Sequence, residues 1–274
     1  YKDYLILLNK MTQYTKTQLF NNQIYTIDNV ISKNECNDLI SRANKKGWNK
    51  SSPSGGGHGR TGREDARTNS FCVFEDSEFV LNLFTKIKHT LPKDLTFLGE
   101  NVYFNSVTKG TEWTPKFIYD KLRIYKYEVG EAFPEHIDYK VKRNIIDTTT
   151  QKEYCQQSFL TLLIYLNDDF IGGETGYWPI HNGIHCRFLR NMEKQLPKKN
   201  HQVSVIPKIG MCVIQDQNIL HEGIPTTKGT KYILRTDIIH QKEIIRHNKV
   251  SNSDKNKSGE WERLFETSCK NYAD

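Results

Sequence analysis

Within GEAFPEHIDYKVKR, positions 130 to 143, His136 and Asp138 stand two residues apart in a stretch that reads as a β-strand. Alternate side chains of a strand share a face, so an imidazole and a carboxylate would leave the chain on one side. Alone, an H-x-D pair says little, because a strand with one polar face turned to water gives the same pattern. Its weight comes from what lies downstream. GMCVIQDQNILHEGIP reads as a buried strand that delivers His221 to its end, and TTKGTKYILRTDII as a turn followed by a strand carrying Lys231. Two imidazoles and one carboxylate on neighbouring strands occupy one face of an octahedral metal such as iron(II) and leave the other positions open. A structural zinc would want four closed ligands. Open positions imply chemistry.

Lys231 lies ten residues after His221, across a turn built on TTKG, so a hairpin return brings the two into one neighbourhood. A buried ammonium needs an anionic partner, and a bound dicarboxylate would supply one. Arg235 shares the strand face of residues 231 and 233, so both cations could point inward.

The elements around these residues are mostly short β-type runs. They cover 121–129, 133–141, 158–167, 172–178, 201–208, 210–216 and 231–239, with turn residues between them. Such a series predicts a sandwich, barrel or jelly roll. IYTIDNV at 24–30 reads as an earlier strand. Two amphipathic helices precede the main sheet. The first starts at Ser32, with Glu35 three residues on as a capping box, and turns Cys36, Leu39, Ile40 and Ala43 inward. The second, 76–92, turns Phe79, Val80, Leu83, Phe84 and Ile87 inward and stops at Pro92.

Length and composition fit one β-rich domain. The 274 residues carry 11% aromatic side chains, enough for a sizeable core, and no apolar run approaches the about 20 residues that span a bilayer. A soluble globular chain without a membrane span is expected. The net charge of +7 comes from scattered residues, which favours a solvated face over nucleic-acid binding. Six cysteines show no C-x-x-C pair, so a zinc ribbon is not expected, whereas one or two disulfides stay open and the compartment, cytoplasm or secretory lumen, is undecided. The chain begins at Tyr1 rather than Met, which points to a trimmed N-terminus, and YLILL is short for a signal-peptide core.

From about residue 24 to 241 the chain resembles the iron(II)- and 2-oxoglutarate-dependent dioxygenases, in their prolyl 4-hydroxylase branch. The resemblance rests on RIYKYEVGEAFPEHIDY, LLIYLNDDFIGGETGYWP and HEGIPTTKGTKYILRTDI, with IDNVISKNECNDLI and ARTNSFCVF earlier, five segments in the family's order. It implies a mainly β fold with flanking helices, a double-stranded β-helix or jelly roll, in a domain read over residues 1–247. The tail at 248–274 reads from its own residues as a polar linker and a short helix docking on that domain, with Trp261, Leu264 and Phe265 on one stripe. The resemblance also implies that His136, Asp138 and His221 hold Fe(II), and that Lys231 pairs with the far carboxylate of 2-oxoglutarate. Tyr127 and Tyr165 would line the cosubstrate pocket, with Tyr165 donating to a carboxylate. Arg235 is the other candidate for that carboxylate; the offset from His221 favours Lys231 and leaves Arg235 beside Asp237 or Glu174.

The implied activity is oxidative decarboxylation of 2-oxoglutarate coupled to hydroxylation of a C–H bond by dioxygen, as in procollagen-proline 4-dioxygenases, with ascorbate as an accessory reductant. The implied partner is a proline-rich protein or peptide. Arg67 and Trp178 are the candidate substrate contacts, and Thr175 either borders the pocket or fills the sheet. Segments 49–70 and 140–157 are candidate lids, and 177–202 is an insert whose His181, His185 and Cys186 are read as incidental. Oxidative demethylation of nucleic acid and a non-catalytic jelly-roll binding module are the alternatives. The first lacks an Arg-rich terminal motif, and the complete triad with Lys231 argues against the second.

Overall fold

A computed structural model describes residues 14–51, 68–93, 95, 113–179 and 201–244. The strands are β1 (Lys16–Phe20), β2 (Ile24–Ile27), β3 (Asn49–Lys50), β4 (Ser70–Glu75), β5 (Thr114–Ile118), β6 (Lys121–Tyr127), β7 (Phe133–His136) and β8 (Lys142–Ile146). They continue with β9 (Glu153–Tyr165), β10 (Ile171–Gly172), β11 (Thr175–Trp178), β12 (Val203–Val205), β13 (Cys212–Asp216), β14 (Leu220–Gly223), β15 (Thr226–Lys228) and β16 (Lys231–Glu243). Two helices, α1 (Lys33–Lys46) and α2 (Ser77–Ile87), fall between β2 and β5.

Eight of these strands form a jelly roll. The large sheet holds β13-β9-β16-β6 in that order and the small sheet holds β12-β11-β14-β7, so the chain crosses repeatedly between two facing layers. β1 and β2 extend the large sheet beyond β13, and β4 and β3 extend it beyond β6. This pairing covers both edges of the central strands, where exposed backbone groups would otherwise invite association.

The apolar run at 159–166 is continuous because both faces of β9 are covered. Leu160, Leu162 and Ile164 pack with Leu39, Ala43, Val80 and Leu83 of the helices, whereas Leu163 and Tyr165 pack between the sheets with Tyr127, Tyr177 and Ile233. The side-chain period of two sorts the run into two cores. The α1 capping box forms as expected, with the Ser32 amide donating to Glu35 Oε2 at 2.6 Å and the Glu35 amide to Ser32 Oγ at 3.2 Å. Asp76 caps α2 by accepting the Phe79 amide at 2.9 Å.

Several expected boundaries change. The strand expected over 133–141 ends at His136, and Asp138 lies beyond it, held by a 3.0 Å bond from its amide to the Gln217 carbonyl. The segment 140–157 is a β-hairpin, β8 on the start of β9, closed by an Asp147 carboxylate that accepts the Thr149 and Thr150 amides. A carboxylate that satisfies two turn amides makes such a hairpin local and stable. Cys36, Cys72, Cys155 and Cys212 are buried free thiols. Among the described residues no helix is long and apolar enough to cross a membrane. Arg67, His181, His185, Cys186, most of 49–70 and the expected helix in 248–274 lie outside the described residues.

Candidate metal and cosubstrate site

β14 runs antiparallel to β7 with His221 directly opposite His136, and the two ring centroids are 4.2 Å apart. Asp138 completes the cluster, with His136 Nε2 3.9 Å from its Oδ1 and His221 Nε2 3.7 Å from its Oδ2. One donor atom from each residue lies within 4.8 Å of the others, a spacing that fits a single ion. Both imidazoles are held by their other nitrogen. His136 Nδ1 donates to the Pro134 carbonyl at 2.8 Å and His221 Nδ1 to the Ile219 carbonyl at 2.9 Å. A proton fixed on Nδ1 makes Nε2 the basic nitrogen, the tautomer a metal requires. Phe133 stacks on His136 at 3.5 Å and Tyr177 on His221 at 5.7 Å, which sets the ring planes.

The Asp138 carboxylate is heavily supported. Thr161 Oγ1 donates to Oδ2 at 2.6 Å and Gln215 Nε2 to the same oxygen at 3.2 Å. Arg235 Nη2 lies 3.0 Å from Oδ1. Burial alone would raise this carboxyl's pKa, but the Arg235 guanidinium, the two imidazoles and the Thr161 hydroxyl hold it well below the usual range. It stays an anion, as a metal ligand must.

The pocket beside the cluster runs along the inward face of β16. Its walls are Tyr125, Tyr127, Phe133, Leu163, Thr175, Gly223 and Ile233, and its polar ends are the His–Asp–His cluster with Arg235 and, at the start of β16, Lys231. Lys231 is 2% exposed. Its Nζ donates to the Gly173 carbonyl at 2.6 Å and sits 5.2 Å and 5.5 Å from the ring centroids of Tyr127 and Tyr165. Burial pushes its pKa down to about 7, against the weaker upward pull of Glu174. An ammonium held this way is poised to gain from an incoming carboxylate. A second groove, between α1 and α2 near Asn34 and Phe79, holds no comparable cluster of reactive groups.

The model of the 2OG-Fe(II) oxygenase superfamily matches residues 122–236, from β6 to the middle of β16. Within that span the chain is similar to the 2OG-Fe(II) oxygenase superfamily. The matched span contains the whole cluster and Lys231, and the superfamily implies Fe(II) and 2-oxoglutarate. No curated protein matches the chain. Solved structures similar to it include a viral collagen prolyl hydroxylase from Paramecium Bursaria Chlorella virus-1, in its 2OG complex. That protein is 19% identical, over 80% of this chain and 96% of its own, with a TM-score of 0.42. Others are a Pseudomonas putida prolyl-4-hydroxylase (11% identity, 85% and 97% coverage, TM-score 0.46) and a Trichoplax adhaerens prolyl hydroxylase in complex with a hypoxia inducible factor peptide fragment (14%, 87% and 93%, TM-score 0.47). At these identities and TM-scores they decide nothing about a substrate of this chain.

The residues singled out from sequence divide by strand parity. His136, Asp138, His221, Lys231, Tyr127 and Arg235 converge on one pocket. Tyr165 is fully buried with its hydroxyl 2.6 Å from Thr175 Oγ1, so Thr175 is the group that faces the pocket. Trp178 lies one residue from Tyr177 and therefore on the opposite face of the small sheet, against His201 at 4.5 Å. Arg235 does meet Asp237, at 3.3 Å, but it also reaches Asp138 inside the pocket rather than standing apart at the strand's far end. Sequence reasoning missed Thr161 and Gln215. Thr161 carried a signal, being the one threonine in an apolar run and at an inward position. Gln215, whose Oε1 accepts the Tyr177 hydroxyl at 2.6 Å, carried none.

Proposed function

We propose that the chain is an iron(II)- and 2-oxoglutarate-dependent hydroxylase that acts on prolyl residues of a protein or peptide. One observation carries the oxygenase reading: two imidazoles with Nδ1 tied to backbone carbonyls face a supported carboxylate, beside a buried lysine whose pocket continues from the cluster. The prolyl substrate is supported by the five sequence segments that resemble the prolyl 4-hydroxylases.

When bound, iron and 2-oxoglutarate would supply the activation of dioxygen that places one oxygen atom in succinate and the other in a substrate C–H bond. The protein's own work is placement. His136 Nε2, His221 Nε2 and one Asp138 oxygen would hold the ion on a single face, leaving the rest of its positions to reactants. Lys231 would take the far carboxylate of the cosubstrate, with the Thr175 hydroxyl beside it. Tyr125, Leu163 and Ile233 supply an apolar wall that keeps water from the reacting carbon chain.

The test is direct. Metal-free protein, reconstituted without oxygen with Fe(II) and 2-oxoglutarate, should develop a visible charge-transfer band. On admitting oxygen it should then form succinate in step with a gain of one oxygen atom in a proline-containing peptide. No band would remove the oxygenase reading. A band with succinate formed but no peptide stimulating it would remove only the prolyl substrate.

A further inference from the structure

Arg235 is placed unlike an anchor for a distant carboxylate. Its Nη2 bridges two acids, Asp138 Oδ1 at 3.0 Å and Asp237 Oδ1 at 3.3 Å. Asp237 is in turn fixed by Gln217, whose Nε2 donates to Asp237 Oδ1 at 2.9 Å. The Gln217 backbone carbonyl holds the Asp138 amide at 3.0 Å, so the circuit closes on the residue it started from. Ser158 Oγ donates to Gln217 Oε1 at 3.0 Å and ties this circuit to β9.

A carboxylate offers about four lone-pair directions, two on each oxygen. On Asp138, Oδ2 accepts from both Thr161 and Gln215, and Oδ1 accepts from Arg235. The one direction left belongs to Oδ1. We infer that Arg235, buttressed by Asp237, is a positioning residue that keeps the Asp138 carboxylate from turning, so that Oδ1 alone, with Oδ2 taken by Thr161 and Gln215, faces the ion. A carboxylate free to turn would offer both oxygens to an ion and take a position the cosubstrate or dioxygen needs. Lys231, four residues earlier on the same inward face and in no salt bridge among the described residues, is left as the cosubstrate's anchor. The inference rests on the metal-site reading proposed above.

Co(II), added to metal-free protein without 2-oxoglutarate, tests it, because nothing then depends on cosubstrate contacts. Wild-type protein should bind one Co(II), and failure to do so would remove the metal-site reading and this inference with it. Arg235→Met should bind Co(II) tenfold or more weakly, the usual range for loss of a ligand's supporting partner, with altered visible absorption. Lys231→Met should keep the wild-type spectrum and affinity while losing 2-oxoglutarate. Arg235→Lys should restore part of the Co(II) affinity. If Arg235→Met does not fold, Asp237→Asn keeps Asp138 and Arg235 and should still weaken Co(II) severalfold with a shifted spectrum. Wild-type Co(II) affinity and absorption in whichever of Arg235→Met and Asp237→Asn folds would overturn the inference, whether or not 2-oxoglutarate binding is lost.

Discussion

The Lys231 ammonium lies 2.6 Å from the Gly173 carbonyl oxygen and, among the described residues, forms no salt bridge, feeling only the weaker pull of Glu174. One neutral acceptor and two aromatic faces leave most of the charge's lost hydration unreplaced. The lysine therefore costs the ligand-free protein stability that a dicarboxylate would return. Lys231→Met should weaken 2-oxoglutarate binding by a hundredfold or more, about 3 kcal/mol or above for a buried charge pair, with iron binding unchanged. Calorimetric titration of 2-oxoglutarate into the Fe(II) protein without oxygen checks it.

The same burial gives a pH dependence. Lys231 has a folded-state pKa of about 7 against 10.5 when exposed. Below about 7 both states carry the proton, and between about 7 and 10.5 only the unfolded chain does. The ligand-free protein should therefore gain stability as pH rises through that window, by on the order of a few kcal/mol, and Lys231→Met should flatten the rise. Cosubstrate binding should run the other way, losing up to about tenfold in affinity per pH unit above 7, because the proton must be taken up on binding. Urea unfolding and titrations across pH 6.5 to ~9.5 measure both slopes.

Removing one arm of the cluster should be felt by the whole site. Asp138→Ala or His221→Ala should abolish measurable Fe(II) binding at micromolar protein. Chelation of the wild-type ion should remove the charge-transfer band while leaving circular dichroism intact, because the jelly-roll core is built without the metal.

Thr161→Val keeps shape but removes the shortest bond to Asp138, 2.6 Å. The expected effect is a severalfold to tenfold loss of Fe(II) affinity with a melting temperature within a few degrees of wild type. A direct metal titration with a parallel thermal melt separates the two.

Gly173 has φ +71°, and a Cβ there would come within 2.9 Å of the Phe170 ring and 3.0 Å of Lys231 Cδ. Gly173→Ala should cost about 1–2 kcal/mol from backbone conformation alone and should also displace the Lys231 stem. Lower denaturation midpoint together with weaker 2-oxoglutarate binding is the expected pair of results.

Much of this was legible in the residues, for physical reasons that differ by element. β16 and β9 were readable because period two, apolar content and flanking turns agree. Ser32 and Glu35 announced α1 because a capping box is a local device. β8 was hidden, since KRNII is almost wholly exposed and shows no alternation of polar and apolar residues, and only its ladder to β9 makes it a strand. His136 and Asp138 were paired for a reason that proved incomplete. The strand stops between them, and Asp138 is aimed by Gln217, Thr161 and Arg235 instead. Gln215 and the bridge from Arg235 to Asp138 depend on contacts across 70 or more residues, which no local pattern records.

β9 and β16 lie side by side from Ile233 opposite Tyr165 to Glu243 opposite Tyr154, with one bulge near Ile238. Thr161 hangs from one of these strands, and Lys231, Arg235 and Asp237 from the other. The span between the Lys231 ammonium and the Asp138 carboxylate is thus graduated in strand rungs, as on a vernier. A slip of one rung would rotate every one of these groups to the wrong layer at once, whereas the connections between strands can lengthen or change without moving a single graduation.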